Sequence, residues 1–391
     1  MHSRKRKKSD KRKVCVVVAS RANYGRIKTV ISAVHNHPDL ELQLIVSASA
    51  LLERFGSAVN IIRKDGFEPD ATVYMVLEGE TPLTMAKSTG LAVIELSSVF
   101  DQLKPDIVVT VADRYETIAT AVAAAYMNIP VAHTQGGEVT GSIDESVRHA
   151  VTKLSHVHFA ATELSRERLL RMGEQPDRVF NTGCPSIDIV ANSDLSMPGD
   201  VISRRGVGVP IDPDSRYLLV IQHPVTTEYE STEAQIEATI EAIDRIRRPT
   251  LWLWPNADAG SDIISKHLRV FREQRSPSYL HLVRNFEPET FIRVMNASGC
   301  VIGNTSSSIR EGAYLGVPAV NIGSRQFGRE RGPNVIDVDY RADAIEEAIV
   351  TQLKHGPYER CEIYGDGQSG KRIADLLATV PLSPVQKTLT Y

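Results

Sequence analysis

Apolar, β-branched runs alternate with helical stretches along almost the whole chain, and this alternation most restricts what it can fold into. Strand-like runs fall at 14–19, 42–47, 107–111, 129–132, 157–161 and 179–182. The rhythm breaks into Pro, Ser, Asp and Gly over 184–214, then resumes with runs at 217–222, 251–254, 280–283, 300–303 and 319–322. Such near-continuous apolar runs suit strands covered on both faces of a parallel sheet. Helical patterns fill the gaps, among them 27–35, 83–103, 117–127, 165–171, 233–247, 262–273, 288–297 and 308–315. The expected fold is therefore α/β: two Rossmann-like domains facing a cleft. The expected divisions are a basic tail at 1–12, a first domain at 13–183, a second at 184–365, and a C-terminal helix and tail at 366–391. That last helix, at about 371–378, is placed to return onto the first domain.

A chain of 391 residues has ample material for two cores, and 42% hydrophobic with 24% charged residues is ordinary for a soluble globular protein. Charge is unevenly spread. Residues 1–13 hold eight Lys/Arg and one Asp, a net of +7, so the overall −3 leaves −10 on the rest. An acidic body argues against a nucleic-acid partner. The longest apolar run near the start, 14–19, is too short for a signal peptide or a membrane span. Four cysteines without a CxxC pair read as reduced thiols, which suits the cytoplasm.

In doubly wound domains ligands bind beyond the C-terminal ends of the strands, and the unusual residues of this chain concentrate there. The densest stretch is 132–149, Ala-His-Thr-Gln-Gly-Gly-Glu-Val-Thr-Gly-Ser-Ile-Asp-Glu-Ser-Val-Arg-His. Its glycines, Gly136, Gly137 and Gly141, would let a ligand approach the backbone, and its carboxylates, Glu138, Asp144 and Glu145, could move protons or simply favour a helix start. Ser142-Ile-Asp-Glu145 reads as a capping box. The loop after the first strand, Ser20-Arg21-Ala-Asn-Tyr-Gly25, is not the GxGxxG of dinucleotide binders, but offers Arg21 to an anion. Asp113 ends a strand, as a helix cap or a positioned base. His223 ends another, as a turn residue or a ligand contact. Gly303-Asn-Thr-Ser-Ser-Ser-Ile-Arg-Glu311 places hydroxyls at a strand-to-helix turn, which suits a phosphate, with Glu311 placed for ribose hydroxyls and Arg325 for the anion. His156-Val-His158 lacks a third ligand at metal spacing and reads as packing.

Taken together these stretches resemble the hydrolysing UDP-N-acetylglucosamine 2-epimerases of sialic acid biosynthesis. The resemblance runs from about Lys13 onward, through Asp113-Arg114, the 136–150 stretch, Gly183-Cys-Pro-Ser186, Gln222-His-Pro-Val-Thr-Thr227, Pro255-Asn-Ala-Asp-Ala-Gly-Ser261, the 303–311 turn, Gly323-Ser-Arg-Gln-Phe-Gly-Arg-Glu330 and Ile363-Tyr-Gly-Asp-Gly367. It implies the glycosyltransferase-B architecture and a homo-oligomer, dimer or tetramer. It also implies loss of UDP from a UDP-N-acetylhexosamine through a 2-acetamidoglucal, then hydration to N-acetylmannosamine. No metal or redox cofactor is implied. Matching positions place UDP against Arg21, Arg114, His223, Asn256, Thr305, Ser306, Ser307, Glu311 and Arg325, and the proton chemistry on Asp113, Glu138 and Asp144, with Glu145 in reserve.

Two positions depart from the pattern. Gln135 stands where some members carry an acid, and Ala50 where the animal enzyme carries a histidine. They leave room for a UDP-2,4-diacetamido-trideoxyhexose in place of the mono-acetamido sugar, which the resemblance ranks first. They also leave room for a UDP-sugar binder without activity. A non-hydrolysing epimerase and a glycosyltransferase would use the same fold and nucleotide contacts.

Overall fold

The computed structural model describes residues 11–79, 81–197, 199–255 and 258–390. Two seven-stranded sheets form the frame. In chain order the first holds β1 (Arg12–Val18), β2 (Leu40–Ser47), β3 (Ala71–Val73), β4 (Ile107–Val111), β5 (Val131–Thr134), β6 (Val157–Ala160) and β7 (Val179–Asn181). Its spatial order is β3-β2-β1-β4-β5-β6-β7, every neighbouring pair parallel. The second holds β8 (Val207–Gly208), β9 (Leu218–Ile221), β10 (Thr250–Leu253), β11 (Leu280–Val283), β12 (Cys300–Gly303), β13 (Ala319–Ile322) and β14 (Val335–Val338). Its order is β14-β13-β12-β9-β10-β11-β8, parallel except for the antiparallel edge strand β8. The doubly wound expectation holds for both halves. Strand order reverses between β1 and β4 and between β9 and β12, where a crevice opens.

Two-sided burial explains the apolar runs. Val14, Val16 and Val18 face one core with Ile27, Ile31 and Ile62, while Cys15 and Val17 face another with Leu96 and Phe100. The helix Ser369–Thr379 adds Ile373, Ala374 and Leu377 to the first of these cores, packing on the helix Lys28–Asn36. No described helix is long and apolar enough to cross a membrane.

The structure corrects several details. Arg12, expected in the tail, opens β1; residues 1–10 lie outside the described residues. Strand β5 starts at Val131, not 129, because Pro130 has no N–H to give to a ladder. The expected linker begins with a helix, Pro185–Asn192, whose proline occupies the first turn, a start signal that the sequence reading passed over. The short edge strands β3, β8 and β14 were not anticipated; β14 is only partly buried and carries Asp337, so it lacks the continuous apolar signature. The capping box does not close. Ser142 caps the helix Ile143–Leu154 by accepting from Asp144 N, while Glu145 turns back to accept from Thr140 N at 2.7 Å.

Candidate active site

The switch points of the two sheets face each other across a cavity of about 960 Å³. Ser20, Arg21, Arg26 and Arg114 line it from the first domain. From the second come His223, Thr305, Ser306, Ser307, Glu311 and Arg325. A recess of about 30 Å³ adjoins it, sharing Arg26, Arg114, Ser306 and Arg325, and is lined also by Asp113, Asp144 and Arg329. Every nucleotide contact expected from the sequence thus reaches the cavity except Asn256, which lies outside the described residues.

Local hydrogen bonds hold each wall. Ser20 caps the short helix Arg21–Gly25, its Oγ accepting from Asn23 N at 3.1 Å. Asn23 then donates from Nδ2 to Val111 O at 3.2 Å, tying the ends of β1 and β4 together. On the other wall Asn304 accepts from His223 N through Oδ1 and donates from Nδ2 to His223 O, both at 2.8 Å. Gly303 makes this crossing possible, because at its φ of 123 a Cβ would lie 2.2 Å from Ile221 O. The 308–315 helix expected from the sequence is shorter, Glu311–Leu315, and turns fill the segment before it.

Two buried polar atoms on these walls have no hydrogen-bond partner among the described residues: Arg21 Nη2, a donor, and Glu311 Oε2, an acceptor. The first can give a hydrogen bond to an anion and the second can accept one from a hydroxyl. Burial pulls Arg21 down to about 10, with Glu287 opposing, so it stays cationic. Burial, then the charges of Arg325, Arg114 and Arg26, push His223 well below the ordinary imidazole range and leave its ring neutral. Arg114 is already engaged, pairing with Asp258 across the cleft at 2.9 Å and with Glu116 at 3.2 Å.

The carboxylates divide. Burial alone would raise Asp113, but Arg148, Arg26 and Arg329 together hold it well below the usual carboxylate range, and Arg148 donates directly to it. Asp144 goes the other way, pushed up to about 6 by burial and by the charge of Asp113, with Arg325 opposing from 4.0 Å. Two carboxyl groups in one recess, with affinities for protons driven apart, form a candidate acid–base pair.

Glu138, expected beside them, lines neither cavity. It is 3% exposed and accepts on Oε2 from both Arg310 and Arg329, two buried guanidiniums of the second domain. Burial would raise its carboxyl, but those arginines and Arg148 hold it below the ordinary range. It bridges charges between the domains through Oε2, while its buried Oε1 has no hydrogen-bond partner among the described residues. Glu145 is likewise occupied, by Thr140 N, by Arg148 at 2.8 Å and by His149 at 2.9 Å. The glycines of the loop serve packing. A Cβ at Gly137 would lie 2.1 Å from Ser165 O, and one at Gly141 would lie 1.9 Å from Ser324 O of the second domain.

Of the two departures from the family pattern, Gln135 is buried with φ 63, donates from Nε2 to Cys184 Sγ at 3.3 Å, and lines neither cavity. Ala50 is fully buried in the first core. Arg26, Arg148, Arg310 and Arg329 were not singled out from the sequence. Arg148 lies one helical turn beyond Asp144, the one such signal in the sequence; the others meet their partners only through the fold. His156 and His158 take packing roles, bonding Val385 O and Glu174. Glu233, Glu237 and His267 bring metal-competent atoms within 4.8 Å of one another, outside the cleft.

Residues 32–378 match the UDP-N-acetylglucosamine 2-epimerase family. The chain is 36% identical to the UDP-N,N'-diacetylbacillosamine 2-epimerase (hydrolyzing) of Legionella pneumophila, over 95% of this chain and 97% of that one. It is 33% identical to the GDP/UDP-N,N'-diacetylbacillosamine 2-epimerase (hydrolyzing) of Campylobacter jejuni, over 84% of each. The fold superposes on Methanocaldococcus jannaschii UDP-GlcNAc 2-epimerase, solved in complex with UDP-GlcNAc and UDP, with a TM-score of 0.79 at 18% identity, covering 93% of this chain and 99% of that one. This chain belongs to the UDP-N-acetylglucosamine 2-epimerase family.

Proposed function

We propose that the protein hydrolyses a UDP-2-acetamido sugar with inversion at C2, and that its substrate is UDP-N,N'-diacetylbacillosamine. The observation that carries the reaction is the Asp113–Asp144 pair in a recess adjoining an arginine-rich cavity. The names of the Legionella and Campylobacter relatives favour the diacetamido sugar over the mono-acetamido sugar that the sequence reading ranked first. Asp144, with an affinity for protons near the working pH, takes the C2 proton. The C1–O bond to UDP breaks as the C1–C2 double bond forms, and Arg21, Arg325 and the Thr305 turn receive the departing diphosphate charge. Water adds its hydroxyl to C1. Its proton passes through a second water, ordered by the ionised Asp113, to C2 on the opposite face, and the proton held by Asp144 leaves to solvent, with UDP and the free 2-epimeric diacetamido sugar released. Gln135 does not weigh against activity, because its side chain faces Cys184 and not the recess.

Proton NMR in D₂O tests this. Incubation with UDP-N,N'-diacetylbacillosamine should yield UDP and a free sugar deuterated at C2, faster than UDP-N-acetylglucosamine does. Preference for the mono-acetamido sugar would restore the ranking from sequence, and a deuterated UDP-sugar without free UDP would make the enzyme non-hydrolysing.

Because Asp144 must be ionised to accept the proton, kcat should fall below about pH 6, roughly tenfold per pH unit. In Asp113→Asn the negative charge that helps raise Asp144 is gone, so the acid limb of any residual turnover should move to lower pH. A limb that stays in place would separate the two carboxylates. His223→Ala and Arg325→Ala should each weaken UDP binding by roughly tenfold, as expected for lost hydrogen bonds to a charged ligand. Unchanged affinity by calorimetry in both variants would move the nucleotide elsewhere.

A further inference from the structure

Beyond Thr379 the backbone runs back across the first domain as a strap. Arg12 donates to Val380 O at 2.9 Å, and Arg178 Nη2 to Ser383 O at 3.1 Å. His156 accepts from Val131 N on Nδ1 at 3.1 Å, so its Nε2 carries the proton and donates to Val385 O at 2.8 Å. Lys387 then inserts its ammonium between Thr152 O, at 3.0 Å, and Glu174 Oε2, at 2.6 Å. Glu174 is 2% exposed and also accepts from Lys153 at 2.8 Å, with His158 Nε2 at 2.9 Å.

Thr152 joins this strap to the active site. Its carbonyl lies in the last turn of the helix Ile143–Leu154, accepting from Ser155 N at 3.1 Å as well as from Lys387, at the helix end where a cation is favourable. The same helix carries Asp144 in its first turn and Arg148, the donor to Asp113, in its middle. The Thr152 hydroxyl lies 3.3 Å from His133 Nδ1, and His133 Nε2 lies 2.8 Å from Ala112 O. A carbonyl only accepts, so Nε2–H donates to it and Nδ1 accepts from Thr152. Burial pushes His133 down to about 3, which keeps the ring neutral and this arrangement in place. Ala112 is held at φ 62, a left-handed conformation unfavourable for a residue with a Cβ, and the next residue is Asp113.

We infer that Lys387 is a positioning residue: by seating the strap against Thr152 and Glu174 it holds both ends of the acid–base pair, Asp144 through the helix and Asp113 through His133 and Ala112. This rests on the reading of Asp113 and Asp144 as the reacting carboxylates. The nucleotide walls are built from other segments, so substrate binding should be spared.

Lys387→Met keeps the stem and removes the donors. On the full-length protein, kcat should fall by about tenfold, as expected for a small misplacement of catalytic groups. KM and the UDP dissociation constant should change by less than about twofold, since an interaction used only in the reaction step leaves binding alone. Lys387→Arg should recover most of the rate. Amide hydrogen exchange in residues 143–154 should quicken in Lys387→Met. A folded Lys387→Met that turns over at the wild-type rate, whatever its melting temperature, would overturn the positioning role. Unchanged exchange in that helix would overturn it too. If the wild-type protein releases no UDP from either acetamido sugar nucleotide, the functional reading fails, and the exchange measurement alone decides whether the strap holds the helix.

Discussion

Asp144→Asn should lose about 10²–10⁴-fold in kcat, the usual contribution of a positioned proton-transfer group, while UDP binds as in the wild type. The reasoning is electrostatic. An amide is isosteric with the carboxyl, keeps the cap geometry of the helix Ile143–Leu154 and leaves the Asp113–Arg148 pair intact. What it cannot do is exchange a proton, and Asp144 is the recess carboxylate raised towards neutrality, to about 6. Single-turnover release of UDP, followed by rapid quench, reads the chemical step directly. Wild-type release in Asp144→Asn would pass the role of base to Asp113, despite the three arginines that favour its ionised form.

Glu138→Ala should be strongly destabilising, costing about 3–5 kcal/mol, because it leaves buried charges unpaired. The guanidiniums of Arg310 and Arg329 are 1% and 2% exposed, and both donate to Glu138 Oε2 from the opposite domain. Glu138→Gln keeps a shape and an acceptor but not the charge, and should fall between Ala and wild type. Urea denaturation of the three proteins checks the order. The opposite pattern, wild-type stability with abolished turnover, would return Glu138 to the acid–base set where the sequence reading placed it.

Much of the frame was legible in the sequence for a simple reason. A strand buried on both faces has no exposed polar face, so 107–111, 280–283, 300–303 and 319–322 stand out as mostly apolar runs, broken only by the buried Thr110, His281 and Asn321, that end where the strands end. The strand C-terminal ends were then the right places to look, and Arg21, Asp113, His223 and Thr305 all lie around one cleft. Short edge strands such as β3 and β14 escaped because few residues and one-sided burial leave little periodicity. The Ser142–Glu145 capping pattern misled because Glu145 had a better partner, Arg148, one turn along the same helix.

The sequence by itself determined the two doubly wound domains and which residues would stand at the C-terminal ends of their strands, but not the strand order that makes the switch points. These follow from local periodicity and turn chemistry, which act between residues close in the chain. Only the tertiary structure decided what surrounds each carboxylate. Glu138, Asp113 and Asp144 are equivalent as letters, yet one is clamped by Arg310 and Arg329, one is held ionised by Arg148, and one is pushed towards neutrality by burial and by its neighbour. Those differences come from charges brought together across the cleft in a medium that screens poorly, and no local pattern encodes which charge will arrive.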